Sequence, residues 1–347
     1  MALKNKNILI TGGCGFIGTN AAAELSVKNK VIIIDDLSRR GTEYNLKYLK
    51  KNFDIEFYRI DISDKKKVLD FFNKKSNIDA VIHLAGQVAV TTSIINPYLD
   101  FSSNLSGTIN ILEGVRRSGN KPIIIFSSTN KVYGALEHYR LKETSCKYSF
   151  STIKFNGVNE LEPVDFYSPY GCSKGGADQY VHDYFRIFDI PTVVFRQSCI
   201  YGKRQFGVED QGWLAWFLFS MMKKRPITIF GNGKQVRDVL YISDLINAYI
   251  LAIEKINDTA GNIYNIGGGK KNALSIIEYL EYVSGRYGIP MDIRKKDWRP
   301  GDQLIYISDT DKFRKTTGWK PTIDIKRGIG LLYDWLLSNY ETISKFV

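Results

Sequence analysis

The sequence predicts an α/β chain, a Rossmann-type doubly wound parallel sheet with a smaller C-terminal lobe. Three observations carry this. Short apolar runs alternate with helical stretches from the N-terminus to about residue 197. Runs such as Val31-Ile32-Ile33-Ile34 are apolar at every position, as strands covered by helices on both faces must be. A glycine-rich turn, Gly12-Gly13-Cys14-Gly15-Phe16-Ile17-Gly18, joins the first run to the first helix.

In order, Ile8-Leu9-Ile10 reads as the first strand, Gly18 to Lys28 as the first helix and Val31 to Ile34 as the second strand. Ile55 to Tyr58 is a weaker third strand, Ala80 to Leu84 a fourth, Ile123 to Phe126 a fifth and Thr192 to Phe195 a sixth. Helices fill the intervals, most clearly Leu99 to Arg117 and Pro169 to Phe188. The alternation then stops. Trp213 to Met222 is an aromatic-rich helix, Ile227 to Phe230 a short strand, and Asn262 to Ile266 an apolar strand able to return to the main sheet. The expected division is residues 1–196 as a dinucleotide-binding domain, with 238–269 returning to it. Residues 197–237 and 270–347 then form the second lobe.

Composition narrows the function classes. The chain is 44% hydrophobic and 24% charged, which suits a soluble globular protein. No apolar run approaches the roughly 20 residues that span a bilayer, and the start lacks the layout of a secretion signal. A cytoplasmic location without membrane partners is therefore expected. The net charge of +12 comes from lysines scattered along the chain, and Lys65-Lys66-Lys67 follows Asp61 and Asp64 at a helix start. That pattern suggests solvated faces rather than a nucleic-acid footprint, and the positive field suits a small anionic substrate. Cys14, Cys146, Cys172 and Cys199 show no C-x-x-C spacing, and His83, His138 and His182 form no cluster. Neither a disulfide framework nor a metal is expected.

The glycine turn is suited to a dinucleotide. Its glycines allow a tight bend, close approach of backbone to a pyrophosphate, and close helix–strand packing. The expected contacts are Gly12, Gly15, Phe16, Ile17 and Gly18, at a helix N-terminus whose partial positive charge faces the phosphates. Asp35 ends the second strand and is placed to accept from ribose hydroxyls and to repel a 2′-phosphate, which favours NAD over NADP. Asp36, Ser38 and Arg39 follow in the same loop, although Arg39 and Arg40 lean towards a 2′-phosphate. Asp61-Ile62 after strand three and Leu84-Ala85-Gly86 after strand four are further candidate contacts.

Chemistry is suggested by Ser168-Pro169-Tyr170-Gly171-Cys172-Ser173-Lys174. Ser168 and Pro169 suit a helix start, so Tyr170 and Lys174 share one face a turn apart. An ammonium beside a phenol is expected to lower the phenol's pKa towards neutrality, making it a base for a sugar hydroxyl. Thr129, with Ser128 second, is the expected hydroxyl donor to the reacting oxygen, at the carboxyl edge of strand five.

With these residues in hand, the chain resembles the extended short-chain dehydrogenase/reductase family, the nucleotide-sugar epimerases and dehydratases. The matching motifs are Thr11 to Gly18, His83 to Gly86, Asn104 to Glu113, Ser127 to Gly134 and Tyr170 to Lys174. Gly231 to Asp244 and Arg299-Pro300-Gly301-Asp302 also match. The resemblance implies bound NAD, a nucleoside diphosphate sugar in the C-terminal lobe, and a homo-oligomer, dimer or tetramer. The segments Ala85 to Ser93, Tyr201 to Phe206 and Asp210 to Trp213 are similar to those of members that epimerise a CDP-linked sugar at C2. Arg237 and Arg299 would hold the diphosphate, with Asp302 in the same motif. Thr228, Ile229 and Phe230 would flank the base through backbone contacts, with Arg204 and Gln211 nearby. Gln87, Ser93 and Asn130 would line the sugar pocket. Asn130 and Lys131 stand where the family's 4,6-dehydratases carry Asp and Glu, so elimination of water is disfavoured. Other readings are a different base or attack at C4, and a dinucleotide-sensing binding protein; retention of both Tyr170 and Lys174 favours an enzyme. The long connection from Ala135 to Tyr167 is expected to form a lid over the sugar.

Overall fold

The structure, a computed structural model, describes residues 3–152, 155–299 and 301–346. Pro300 of the Arg-Pro-Gly-Asp motif lies outside the described residues. The chain begins with β1 (Asn7–Thr11), α1 (Phe16–Leu25), β2 (Lys30–Asp35), α2 (Thr42–Asn52), β3 (Ile55–Arg59), α3 (Lys65–Lys74) and β4 (Ala80–His83). Next come α4 (Val90–Ile95), α5 (Pro97–Phe101), a π-helical turn over Ser102–Ser106, α6 (Gly107–Ser118) and β5 (Ile123–Thr129). A hairpin of β6 (Leu141–Glu143) and β7 (Tyr148–Phe150) precedes α7 (Ser168–Phe188), β8 (Thr192–Gln197) and β9 (Cys199–Tyr201). Then follow α8 (Trp213–Met222), β10 (Ile227–Phe230), β11 (Val236–Tyr241), α9 (Ile242–Glu254), α10 (Ile256–Thr259) and β12 (Asn262–Ile266). The chain closes with β13 (Ala273–Ser275), α11 (Ile276–Tyr287), β14 (Ile293–Lys296), β15 (Ile305–Tyr306), α12 (Asp311–Thr317), α13 (Ile325–Ser338) and α14 (Tyr340–Ile343).

Seven strands form one parallel sheet in the order β12-β8-β5-β4-β1-β2-β3. The chain runs outward from β1 to β3, then crosses back to β4 and runs the other way. The crevice at that reversal, between β1 and β4, opens at the carboxyl ends of the strands. Alternate strand residues serve the two faces. Ile8, Ile10 and Ile33 join one core cluster, and Leu9, Ile32 and Ile34 the other. Each such fully buried isoleucine contributes about 1.5–3 kcal/mol relative to exposure. One face is covered by α1 and α9, the other by α3, α6 and α7.

Three expectations meet the structure here. Of residues 238–269, expected to return to the dinucleotide-binding domain, β12 and α9 lie against its sheet and α1, whereas 238–241 pair in a second sheet. β12 fills the edge of β8, pairing Asn262 with Val193 through Ile266 with Gln197. β11 pairs instead with β9, β13 and β15 in a second sheet, while α9 packs on α1. The stretch expected to be helical from Leu99 to Arg117 is helical throughout, with a π-helical turn at Ser102–Ser106 in which Asn104 is 1% exposed. In the segment 135–167, expected to form a lid, the described residues place β6 and β7 against the second lobe. The hairpin is pinned there by Lys147–Glu278, Lys234–Glu143 and Asn232 Nδ2 donating to Tyr148 Oη.

Candidate active site

The glycine turn forms a cradle whose fit to a dinucleotide can be tested on its own geometry. Gly12 has φ +68°, and a Cβ there would stand 2.8 Å from the Ala85 nitrogen. A Cβ on Gly18 would stand 2.2 Å from the Gly12 carbonyl oxygen. Side chains are thus excluded from the turn, and backbone alone faces the crevice. Helix α1 opens behind it with no side-chain cap and no acidic residue in its first turn, leaving its leading N–H groups for an anion. Asp35 is buried; one carboxylate oxygen accepts from Cys14 N–H at 2.9 Å and the other from Leu37 N–H at 2.8 Å. It therefore ties the glycine turn to the following loop and keeps lone pairs for ribose hydroxyls. Burial raises its pKa, opposed by those two backbone bonds. These residues fit NAD.

The neighbouring candidates have visible local work. Asp36 accepts from Ser38 N–H and Ser38 Oγ, and Asp61 accepts from Ser63 N–H, each closing a turn. Ile62 packs on Gly107. Leu84 and Ala85 N–H groups donate to Thr11 Oγ1 at 3.2 Å, and Thr11 in turn contacts His83 Nδ1 at 2.6 Å. His83 Nε2 meets Thr108 Oγ1, and burial pushes the imidazole down to about 3, so it stays neutral. Cys14 is fully buried and burial raises its thiol pKa, which makes it a packing residue.

Helix α7 carries Tyr170 and Lys174 at the crevice. Its first turn is held from outside: Ser168, in the left-handed region at φ +76°, accepts from Gly171 N–H, and Ser93 Oγ accepts from Tyr170 N–H at 3.1 Å. Tyr170 and Thr129 both line the cleft. Lys174 donates to the Ser127 carbonyl at 2.5 Å and lies 4.2 Å from the centre of the Phe126 ring. Burial pushes Lys174 down to about 8, with Asp178 and Asp100 pulling upward. The expected lowering of the tyrosine pKa is not found in the ligand-free chain. Burial pushes Tyr170 up to about 12, Asp100 adds to the rise, and Thr129 and Arg39 oppose it. The ammonium is committed to Ser127, which explains why it does little for the phenol.

Ser128 is committed elsewhere. Its hydroxyl donates to Asp178 Oδ2 at 2.7 Å. Asp178 also takes a two-pronged bond from Arg196, whose Nη1 donates to Tyr133 Oη. Ser128 and Thr129 both line the cleft, and Thr129 Oγ1, as a donor, makes a long bond, 3.4 Å to Asn130 Oδ1.

The second lobe faces this pair across the cleft. Arg237, Arg299, Asp302, Thr228 and Phe230 line it, with Asn130 and Gln211. Arg237 donates to Asp302 at 2.6 Å. Arg299 donates to Asp210 at 2.9 Å, lies 3.9 Å from the Phe230 ring centre, and has a buried Nε without a partner. Asn130 donates to Gln303 at 3.2 Å, and Gln211 accepts from Arg39. Against the upward push of burial, Arg237, Lys131 and Arg299 hold Asp302 below the usual carboxylate range.

Three expected substrate contacts lie elsewhere. Arg204 stacks on Tyr48, 3.4 Å from the ring centre, facing α2 rather than the cleft. Ser93 is fully buried beneath α7. Gln87 bonds the Ala89 carbonyl and Asp100. The Ile229 side chain is in the core because strand alternation sends Thr228 and Phe230 outward, so only its backbone is placed for the contact expected of it. Residues of 135–167, among them Ala135, Leu136 and Tyr167, line a second cavity that shares Arg299, Gly301 and Asp302 with the cleft. Sequence reasoning missed Gln235, whose Oε1 is buried without a partner, and Trp213 and Cys199, which line the same cleft. Gln235 was findable, since period-two spacing puts it beside Arg237. Asp100 was not, because its carboxylate meets Gln87, Asn104 and Ser173 only through the fold.

The geometry agrees with comparisons to known proteins. A family model described as the NAD dependent epimerase/dehydratase family matches residues 8–267. The chain is 45% identical over 337 residues to CDP-paratose 2-epimerase of Salmonella typhi, covering 95% of this chain and 99% of that one. It resembles the crystal structure of UDP-glucose 4-epimerase with UDP-glucose from Thermotoga maritima, with TM-score 0.83 and 29% identity over 96% and 99% of the two chains. It also resembles Thermus thermophilus UDP-glucose 4-epimerase in complex with NAD, with TM-score 0.80 and 28% identity over 95% and 99%.

Proposed function

Because the chain belongs to the NAD dependent epimerase/dehydratase family, we propose that it is an isomerase inverting C2 of a CDP-linked sugar, of the CDP-paratose to CDP-tyvelose type. The observation that carries an epimerisation is the cleft itself. Tyr170 and Thr129 face Arg237 and Arg299 across it, and Asn130 and Lys131 stand where elimination would need carboxyl groups. The likeness to CDP-paratose 2-epimerase over nearly the whole chain supports C2 and the cytosine nucleotide.

Tightly held NAD supplies the chemistry of removing a hydride from C2 and returning it, so there is no net oxidation. Tyr170 would take the C2 hydroxyl proton as the ketone forms and return it to the same oxygen as the hydride comes back to the opposite face of C2. Thr129 donates to the reacting oxygen. Lys174, once drawn from Ser127, adds positive charge beside the phenolate. Arg237 and Arg299 hold the diphosphate by paired donors while the sugar turns. Residues 1–196, with α9 and β12, serve the cofactor, and 197–237 with 270–347 serve the nucleotide sugar. A cytoplasmic enzyme without nucleic-acid partners fits this substrate. Exposed Ile95, Tyr98, Leu99, Phe101, Tyr180 and Ile187 on α4, α5 and α7 are suited to a two-fold contact between copies.

The test is proton NMR of CDP-paratose with the purified protein and no added cofactor. A CDP-tyvelose signal growing to a fixed ratio, read from the H1–H2 coupling, is the expected result. No change even with added NAD would overturn the substrate assignment. Conversion of CDP-glucose to CDP-mannose would name another sugar at the same carbon, and conversion of a UDP-sugar at C4 would name the alternative that the likeness to 4-epimerases favours. Tyr170→Phe is expected to lower turnover by about 10²–10⁴-fold with NAD retained. A binding protein would keep its ligand response in that variant.

A further inference from the structure

Lys131 has so far entered as a residue that cannot eliminate water. Its surroundings suggest a positive role. The turn after β5 places it two residues beyond Thr129, and it lines the cleft. Its ammonium is 3.7 Å from Asp302 Oδ1 and 3.5 Å from the Gly301 carbonyl. Both distances exceed the roughly 2.7–2.9 Å of a committed charge-assisted bond. The same Asp302 oxygen accepts from Arg237 at 2.6 Å. Two cations thus share one carboxylate unequally, and Lys131 holds the weaker share with three donors to place.

Three cations, Lys131, Arg237 and Arg299, line this cleft with three acids, Asp302, Asp210 and Glu209. The two arginines engage Asp302 and Asp210 at 2.6 and 2.9 Å, which leaves Lys131 the cation held least tightly. Position gives that cation a direction. Arg299 lies on Phe230, beside the nucleotide end, whereas Lys131 follows Thr129, at the reacting end. A cation there meets the phosphate that carries the sugar.

Taking the nucleoside diphosphate sugar reading above as given, we propose that Lys131 is a substrate-binding residue whose ammonium pairs with the sugar-side phosphate, while Arg237 and Arg299 hold the remaining diphosphate oxygens. A sugar that must turn inside the cleft cannot itself be gripped throughout the cycle. Cations from three separate segments, the β5 turn, β11 and the loop at Arg299, fix the diphosphate as the pivot. A carboxylate at position 131 would repel the same phosphate.

The experiment is calorimetric titration of the NAD-containing protein with CDP, CMP, UDP and UMP. Lys131→Met is expected to weaken CDP binding about 10–100-fold, leave CMP binding within about twofold, and leave the NAD content unchanged. Lys131→Arg is expected to restore most of the affinity, and Lys131→Gln serves if the methionine variant does not fold. CDP affinity unchanged in Lys131→Met, or CMP affinity falling as far as CDP affinity, overturns the proposal. If the unaltered protein prefers UDP, the cytosine assignment fails, and the Lys131 comparison is then read with UDP and UMP.

Discussion

Two aspartate–arginine pairs flank the reacting centre, and they behave differently. Asp178–Arg196 lies behind Ser128, with side chains 1% and 4% exposed, and its acceptors and donors also engage Ser128, Gln179 and Tyr133. Asp302–Arg237 lies at the front, with side chains 23% and 10% exposed, next to Lys131. The first pair is sealed and fully bonded, so nothing arriving in the cleft can compete for it. The second faces the cleft, where a diphosphate offers Arg237 a better partner than one shared carboxylate oxygen. Identical residue types thus build a frame in one place and an exchangeable contact in the other. Burial and completeness of bonding decide which.

The comparison breaks hardest at Arg196. Arg196→Met leaves Asp178 buried and unpaired, and the expected loss is about 3–5 kcal/mol of stability in urea unfolding. A loss under about 1 kcal/mol would mean the pair is no frame. Arg237→Met is expected to do the reverse, weakening CDP binding by about 1.5–3 kcal/mol while changing stability by only about 1 kcal/mol. Equal losses in both measurements would erase the distinction.

Lys174, one turn before Asp178, sharpens it. Its pKa in the folded chain is about 8, against an ordinary value of 10.5. Between those values the unfolded chain binds more protons, so this group makes stability rise with pH there. Lys174→Met is expected to stabilise the protein by ~1–2 kcal/mol at neutral pH, to remove that rise, and to abolish turnover. Unfolding midpoints across that pH window check the sign. The smallest effect is that of salt. Raising it is expected to weaken CDP binding progressively, by well under 1 kcal/mol at moderate ionic strength, and to leave the Asp178–Arg196 frame untouched.

What could be read from the sequence was local. Val31 to Ile34 and Asn262 to Ile266 declared themselves as strands because burial on both faces demands apolar residues at every position. Gly12, Gly18, Tyr170 and Lys174 were legible because their spacing is itself the geometry. What was missed depends on partners far along the chain. Arg204 turns to Tyr48 across more than a hundred and fifty residues. The π-helical turn that buries Asn104 has no spacing signature. The high pKa of Tyr170 follows from how deeply the folded cleft buries it, which no neighbouring residue announces.

The strand β12 has a consequence for synthesis. It completes the central sheet on the outer edge of β8, yet it is made only at residues 262–266. While the chain emerges from a ribosome, β1 to β8 can assemble well before this last strand exists. During that interval β8 presents an unpaired row of backbone N–H and C=O groups, a template for pairing with another nascent chain. Fragments ending before Asn262 are expected to aggregate through that edge, and fragments ending beyond Ile266 are expected to be spared.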